Sequence, residues 1–365
     1  MLTTHYGFFM TSVVDRNPKN SSAHTERIVE ILKQAGHHVI VCKFEDIKHV
    51  EDYKEWFVLY SSSEDPGLFY KDYIEDIILR LHLAGAILLP RFELFRCHHN
   101  KCFMEGYRLS LEDDRFKTIK SYIYGSYGGY LTSSQRPEEY PVVLKPSVGA
   151  GSSGVVIAND SKDLEKKIKK LARRQLYIEL PGLQGLKFPE KLKNMYRGIR
   201  GIPRVNYPPK AFNFVVQNLI PNLSGDYKVL VFGEKYYLLK RENRDGDFRA
   251  SGSGKYSFPS DVADVRAVLD YAKLAYETFN THICSLDIGY DGVSCHLIEF
   301  QFLHFGPITL QKSAFHFIFK QNEWVKVDEI PNLEREYSHA VLNYLTCLES
   351  KEALNGNCEK ISPNF

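Results

Sequence analysis

Between Val143 and Val156 the chain reads VLKPSVGAGSSGVV, a lysine at the end of an apolar strand followed at once by a loop of glycines and serines. Those residue types suit phosphate. Gly149, Gly151 and Gly154 let backbone N–H groups converge on an anion without Cβ interference, Ser152 and Ser153 add hydroxyl donors, and Lys145 supplies a fixed charge. A Walker A loop places its lysine after the glycines. Here the order is reversed.

Three further stretches follow at spacings of tens of residues. VVQNLIPNLSGDYKVLVFG (215–233) reads as strand, connector and strand, and a hinge at Gln217, Asn218, Leu219 and Ile220 would offer the backbone donors and acceptors an adenine edge requires. LLKRENRDGDFRASGSGK (238–255) gathers Lys240, Arg241, Arg244, Arg249 and Lys255 among small residues, as a polyphosphate or anionic intermediate demands. In SLDIGYDGVSCHLIEFQ (285–301), Asp287, Glu299 and Gln301 lie on neighbouring strands, and Glu299 and Gln301, two apart, share a face. Such hard oxygen donors suit Mg²⁺ bridging phosphates.

These groups need strands and helices to hold them. An apolar run from Tyr6 to Val14, an amphipathic helix over 25–35 stopped at Gly36, and a strand from His38 to Cys42 make a βαβ unit. A helix over 70–83 leads into the strand AGAILLP, so the first 90 residues read as a small α/β domain with a parallel sheet. Beyond it, strands are expected at 142–145, 155–158, 212–220, 227–232, 235–239, 283–290 and 296–301, with helices at 162–173 and 262–279, which group as two α+β lobes. The segment 181–210 is rich in lysine, arginine and proline with little periodicity and reads as a basic insertion; a helix near 333–348 and a polar tail close the chain. No GxGxxG follows the first strand, so a dinucleotide is not suggested.

A chain of 365 residues with 44% apolar and 25% charged residues is long enough for two or three subdomains around sizeable cores. A formal charge of +2 gives no long-range attraction for nucleic acid. Seven irregularly spaced cysteines read as reduced thiols, and the cytoplasm is the expected compartment, with no membrane span. The cluster Cys97, His98, His99 and Cys102 fits no common zinc spacing and is expected to pack around a helix; His304, just past Gln301, is a candidate for the substrate site.

In this order the pieces resemble the ATP-grasp superfamily over about residues 90–320, most closely carboxylate–amine ligases such as ribosomal-protein glutamate ligases and glutathione synthetases. The resemblance implies a parallel-sheet pre-grasp domain (1–90), ATP-grasp lobes of α+β structure enclosing the nucleotide (91–320, with the insertion 181–210), and a C-terminal helix and tail (321–365). It implies that Lys101 in HHNK and Lys145 hold ATP with the loop Gly149–Gly154, that Gln217 to Ile220 form the hinge, and that Asp226 and Lys228 begin the strand closing the nucleotide pocket. Arg241 and Arg249 would then approach the transferred phosphoryl group, and Asp287, Glu299 and Gln301 would hold two Mg²⁺ ions. Three positions depart from the family: Asn218 where glutamate is usual, Lys228 for arginine and Gln301 for asparagine. The implied activity joins a carboxylate, activated as its acyl phosphate, to an amine. Both are expected to be small molecules or peptide or sugar groups, and the basic insertion suits an anionic acceptor. A small-molecule or sugar kinase and a nucleotide-binding module without turnover are the alternatives.

Overall fold

A computed structural model describes residues 6–11, 24–63, 65, 68–149, 154–178, 211–303, 305–306 and 308–355. The elements begin with β1 (Tyr6–Thr11), α1 (Thr25–Gln34), β2 (His38–Lys43), β3 (Phe57–Tyr60), α2 (Phe69–Leu83), β4 (Ile87–Leu89) and α3 (Phe92–His99). Next come α4 (Lys101–Ser110), β5 (Ser121–Ser126), α5 (Tyr127–Thr132), β6 (Val142–Pro146), β7 (Val156–Ala158), α6 (Ser161–Ile178) and β8 (Ala211–Asn218). The remainder is β9 (Gly225–Phe232), β10 (Lys235–Glu242), β11 (Tyr256–Ser257), α7 (Val262–Phe279), β12 (Ile283–Tyr290), β13 (Cys295–Gln301), α8 (Ile308–Lys312), β14 (Phe315–Lys320), β15 (Glu323–Asp328) and α9 (Leu333–Asn355).

The chain divides into two compact units, one discontinuous (1–98 with 222–365) and the other contiguous (99–221). The discontinuous unit holds two sheets. Its first is β2-β1-β3-β4, parallel at every pairing, as expected for the opening βαβ unit. On one face, Ile28, Val29 and Leu32 of α1 pack with Val341 and Leu345 of α9 over Val39, Phe57, Leu59 and Leu89. On the other, Ile74, Ile77, Ile78 and Leu81 of α2 and Phe95 of α3 pack over Val58, Tyr60 and Leu88. The hydrophobic faces of the helices thus cover both sides of a sheet whose central strand, FVLY, is buried throughout.

The second sheet of this unit is antiparallel, in the order β13-β12-β9-β10-β14-β15, with β11 also paired to β10. Strands β9 and β10 form a hairpin through a two-residue turn whose first residue, Gly233, has φ +61°, a conformation glycine adopts without a Cβ penalty. Leu230, Phe232, Tyr237 and Ile283 on one face meet Leu310 of α8 and Ala340 of α9, while the indole of Trp324 donates to Asp270 of α7 at 2.7 Å.

The contiguous unit is built on the sheet β5-β8-β6-β7, antiparallel at each pairing. Tyr124, Val142, Leu144, Phe214 and Val216 form its core with Tyr130 of α5 and Leu164, Ile168 and Ala172 of α6. Alternation along the strands therefore sends Lys145, Val143, Val215, Gln217, Ser121 and Ile123 to the opposite face. The segment 181–210, read as a basic insertion, and His304 lie outside the described residues.

Candidate functional site

In the contiguous unit the phosphate-type loop begins where β6 ends. Lys145 is opposite Val215 in register, and Gln217 is opposite both Val143 and Ser121, so Lys145 and Gln217 share one face of the sheet. Two residues of extended chain separate Lys145 from the Val143–Gln217 pair, about 7 Å. Helix α4 starts at this loop. Its N-cap residue Asn100 accepts from the Phe103 N–H at 3.0 Å, the Ser147 hydroxyl donates to Asn100 Oδ1 at 2.8 Å, and the Lys101 N–H donates to the Ser147 carbonyl at 2.9 Å. The Lys101 ammonium donates to the Gly149 carbonyl at 2.7 Å. Two lysines expected to act together, 44 positions apart in sequence, are thus tied to one loop. Of that loop, Gly149 and Gly154 (φ +135° and +76°) are described. Gly151, Ser152 and Ser153 lie outside the described residues.

Gly154 has φ +76°, which favours glycine, and a Cβ there would also crowd the Pro146 side chain at 3.1 Å. At the far end of β8 the Asn218 N–H donates to the Lys120 carbonyl at 3.0 Å and the Leu219 N–H to the Pro141 carbonyl at 3.2 Å. The Asn218 amide also donates to Glu139 at 3.2 Å. The hinge residues are therefore anchored on both flanking segments, and the buried Asn218 Oδ1 meets no donor among the described residues.

The discontinuous unit gathers the other candidates on its antiparallel sheet. Asp226 is opposite Arg241, Lys228 is opposite Asp287, and Asp287 is opposite Glu299, while Ser285 is opposite Gln301. Directly opposed residues share a face, so Asp226, Lys228, Arg241, Asp287, Glu299 and Gln301 all lie on one side of four adjacent strands. A bulge between Asp287 and Ile288 restores the phase of β13 near Glu299.

The charges there interlock. Arg241 makes a fork onto Asp226 (2.6 and 2.8 Å) and reaches Asp287 at 2.8 Å; Lys228 reaches the other Asp287 oxygen at 3.2 Å. These four side chains are only 12–16% exposed, which makes the ionic interactions strong and unpaired charge costly. Burial, and then the negative charge of Asp287, push the Asp226 carboxyl up to about 6. Burial would raise Asp287 too, but the Arg241 and Lys228 charges outweigh it and hold that carboxyl well below its usual range. Burial disfavours a charged Arg241, yet the two carboxylates keep it firmly protonated.

Sequence reading placed Asp226 and Lys228 by resemblance and missed their pairing with Arg241 and Asp287. The signal was present: a two-residue turn at Gly233 fixes β9 against β10 and puts Asp226 across from Arg241. Arg249 lies in the loop after β10, forked onto Asp247 at 2.5–3.0 Å. Among the described residues no three His, Cys, Asp or Glu side chains converge as a metal site would need. The opposed carboxylates Asp287 and Glu299, with the Gln301 amide on the same face, nevertheless fit Mg²⁺, which takes one or two protein carboxylates and completes its shell with phosphate oxygens and water. The described cysteines Cys42, Cys97, Cys102, Cys284, Cys295 and Cys347 are free, and no described helix is long and apolar enough to cross a membrane.

No protein-family model matches the chain, and no curated protein matches it in sequence. Among solved structures it is similar to D-cycloserine synthetase DcsG, at 13% identity and TM-score 0.51 over 93% of this chain and 99% of that one. A RimK domain ATP-grasp protein from Sphaerobacter thermophilus aligns at 11% identity and TM-score 0.46, covering 81% and 92% of the two chains. D-alanine–D-alanine ligase from Bacillus anthracis aligns at 12% and 0.47, covering 96% and 99%. The likeness is one of fold: the chain has the ATP-grasp fold, with mixed α/β and α+β sheets.

Proposed function

We propose that the protein is an ATP-dependent carboxylate–amine ligase. The observation that carries this reading is the row Arg241–Asp226–Asp287–Lys228, with Glu299 beside it, on one face of an ATP-grasp sheet. Structural ion pairs alone do not call for such a concentration of buried charge beside two oxygen donors, whereas the handling of a polyphosphate does. Lys145, Lys101 and the loop Gly149–Gly154 would hold the phosphates, Gln217 to Ile220 the adenine, and Asp226 and Lys228 the strand beside it.

In the proposed reaction a carboxylate oxygen attacks the γ-phosphorus of ATP and the bond to the bridging oxygen of ADP breaks. The amine nitrogen then attacks the acyl carbon, inorganic phosphate leaves with the C–O bonding pair, and the nitrogen loses its proton. Arg241 and Lys145 stabilise the charge that spreads over the phosphoryl oxygens, and Arg249 would assist from its loop. Mg²⁺, held by Asp287, Glu299 and Gln301, would neutralise phosphate charge when bound. Arg241 keeps Asp287 ionised and so keeps it competent as a ligand.

Small-molecule, peptide or sugar carboxylates and amines are the proposed substrates, and the cytoplasm the proposed compartment. We also propose functional boundaries at 90 and 320, with pre-grasp sheet, grasp lobes and C-terminal helix in turn. The reading is tested by Lys145→Ala, which should lose ATP affinity at least tenfold by calorimetry while its melting temperature holds, since water replaces a charge-assisted phosphate contact poorly. Unchanged affinity would remove the assignment. Amine-dependent release of phosphate from ATP by the wild type then separates ligase from kinase.

A further inference from the structure

Helix α4 connects the two ends of the candidate nucleotide face, and its buried side chains account for how. Arg108 is fully buried and Glu105 is 1% exposed. The Arg108 guanidinium donates to Glu105 Oε2 from Nε (3.1 Å) and Nη2 (2.7 Å), to the carbonyls of Phe116 and Ile119, and to the Ser121 hydroxyl at 2.9 Å. The same hydroxyl accepts from the Gln217 amide nitrogen at 3.0 Å. Seven residues earlier on α4, Lys101 holds the Gly149 carbonyl. One rigid helix thus joins the phosphate-type loop to the last residues of β8.

We propose that Arg108 and Ser121 are positioning residues that set the Gln217 side chain for recognition of the nucleotide base. Gln217 is 2% exposed, and its amide nitrogen is taken by Ser121. That leaves the Gln217 Oε1 as an acceptor, and no donor among the described residues meets it. An acceptor fixed on the Lys145 face favours a base that presents an amino group there, and repels one that presents a carbonyl. A site built to hydrogen-bond an amino group discriminates strongly against an analogue lacking it, because the buried partner is then left unsatisfied. Arg108 acts at a distance: its forked donors fix the Ser121 hydroxyl, and the hydroxyl fixes the amide. The inference rests on the proposed nucleotide site and adds to it the origin of its base preference.

Arg108 itself is a poor test position, because its removal strands the Glu105 carboxylate and threatens the fold. Ser121→Ala leaves that buried pair intact and takes away only the hydroxyl. In the full-length protein, the ratio of ATP to GTP affinity should fall about tenfold in Ser121→Ala and return in Ser121→Thr, which restores the hydroxyl. A merely structural role for Ser121 would weaken both nucleotides in parallel. Parallel loss, no loss, or a wild type that binds both nucleotides equally would overturn the positioning role. A wild type that binds neither nucleotide would instead overturn the nucleotide reading itself.

Discussion

Asp226 and Asp287 show how two like residues on one sheet face acquire opposite acidities. Arg241 serves both, but Lys228 makes its direct contact with Asp287, and burial together with the ionised Asp287 then outweighs the two cations at Asp226. A carboxyl raised from 3.8 to about 6 contributes stability that is fully present below pH 4 and is lost as pH rises through 6. Each tenfold change in acidity is worth roughly 1.4 kcal/mol, so that contribution is at most about 2–3 kcal/mol. Asp226→Asn keeps an acceptor for Arg241 and cannot ionise, so its denaturation midpoint should gain on the wild type between pH 4 and pH 6.5. A constant difference across that window would show Asp226 to ionise as an ordinary carboxyl. The identities of these residues were legible in the sequence, as was the face shared by Glu299 and Gln301. Their partners were not, because a cross-strand ion pair depends on register, and register was visible only to a reader who trusted the Gly233 turn.

Among elements, the parallel sheet, the glycine-loop strand and the long helices α6 and α7 carry strong periodicity and were expected. Strands β14 and β15 were not. Their connection, Gln321–Asn322, has φ +51° and +65°, a hairpin turn made without glycine, and so the usual turn signal is missing. The short strand β3 escaped for a related reason, since four wholly buried residues show no alternation. The closest packing within the β9–β10 hairpin lies at Gly225, where a Cβ would fall 1.9 Å from the Arg241 carbonyl oxygen. Backbone does not yield as a side-chain tip does. Gly225→Ala should therefore push β10 away at the position of Arg241, lowering stability by about 2 kcal/mol or more by denaturant titration and weakening ATP binding with it. An alanine variant of wild-type stability would mean that the hairpin opens freely at this end.

At the scale of the molecule, the helix that closes the chain belongs to the core of the sheet that opens it. Val341 and Leu345 of α9 pack with Ile28, Val29 and Leu32, and Glu334 accepts from the His24 N–H at 3.0 Å. Two buried aliphatic side chains contribute about 3–6 kcal/mol together, comparable with the net stability of a whole domain. Truncation after residue 332 should abolish cooperative unfolding of the discontinuous unit, whereas truncation after residue 355 should leave its midpoint within about 0.5 kcal/mol of the intact protein. A cooperative, wild-type transition in the shorter chain would show that the opening sheet stands without α9. None of this long-range dependence could be read from local pattern, which reports that residues 333–348 are helical but not which sheet they cover.

The nesting of residues 99–221 inside the other unit has a consequence for how the protein is made. A ribosome releases the contiguous unit whole while more than half of the discontinuous one is still untranslated, and domains generally fold as units once their residues emerge. The opening sheet meanwhile has only α1 on the face that α9 completes, because Val341 and Leu345 emerge after the whole contiguous unit. The order of maturation is therefore inside first, and the nascent chain is most exposed to aggregation and to chaperones through its earliest residues, not its latest.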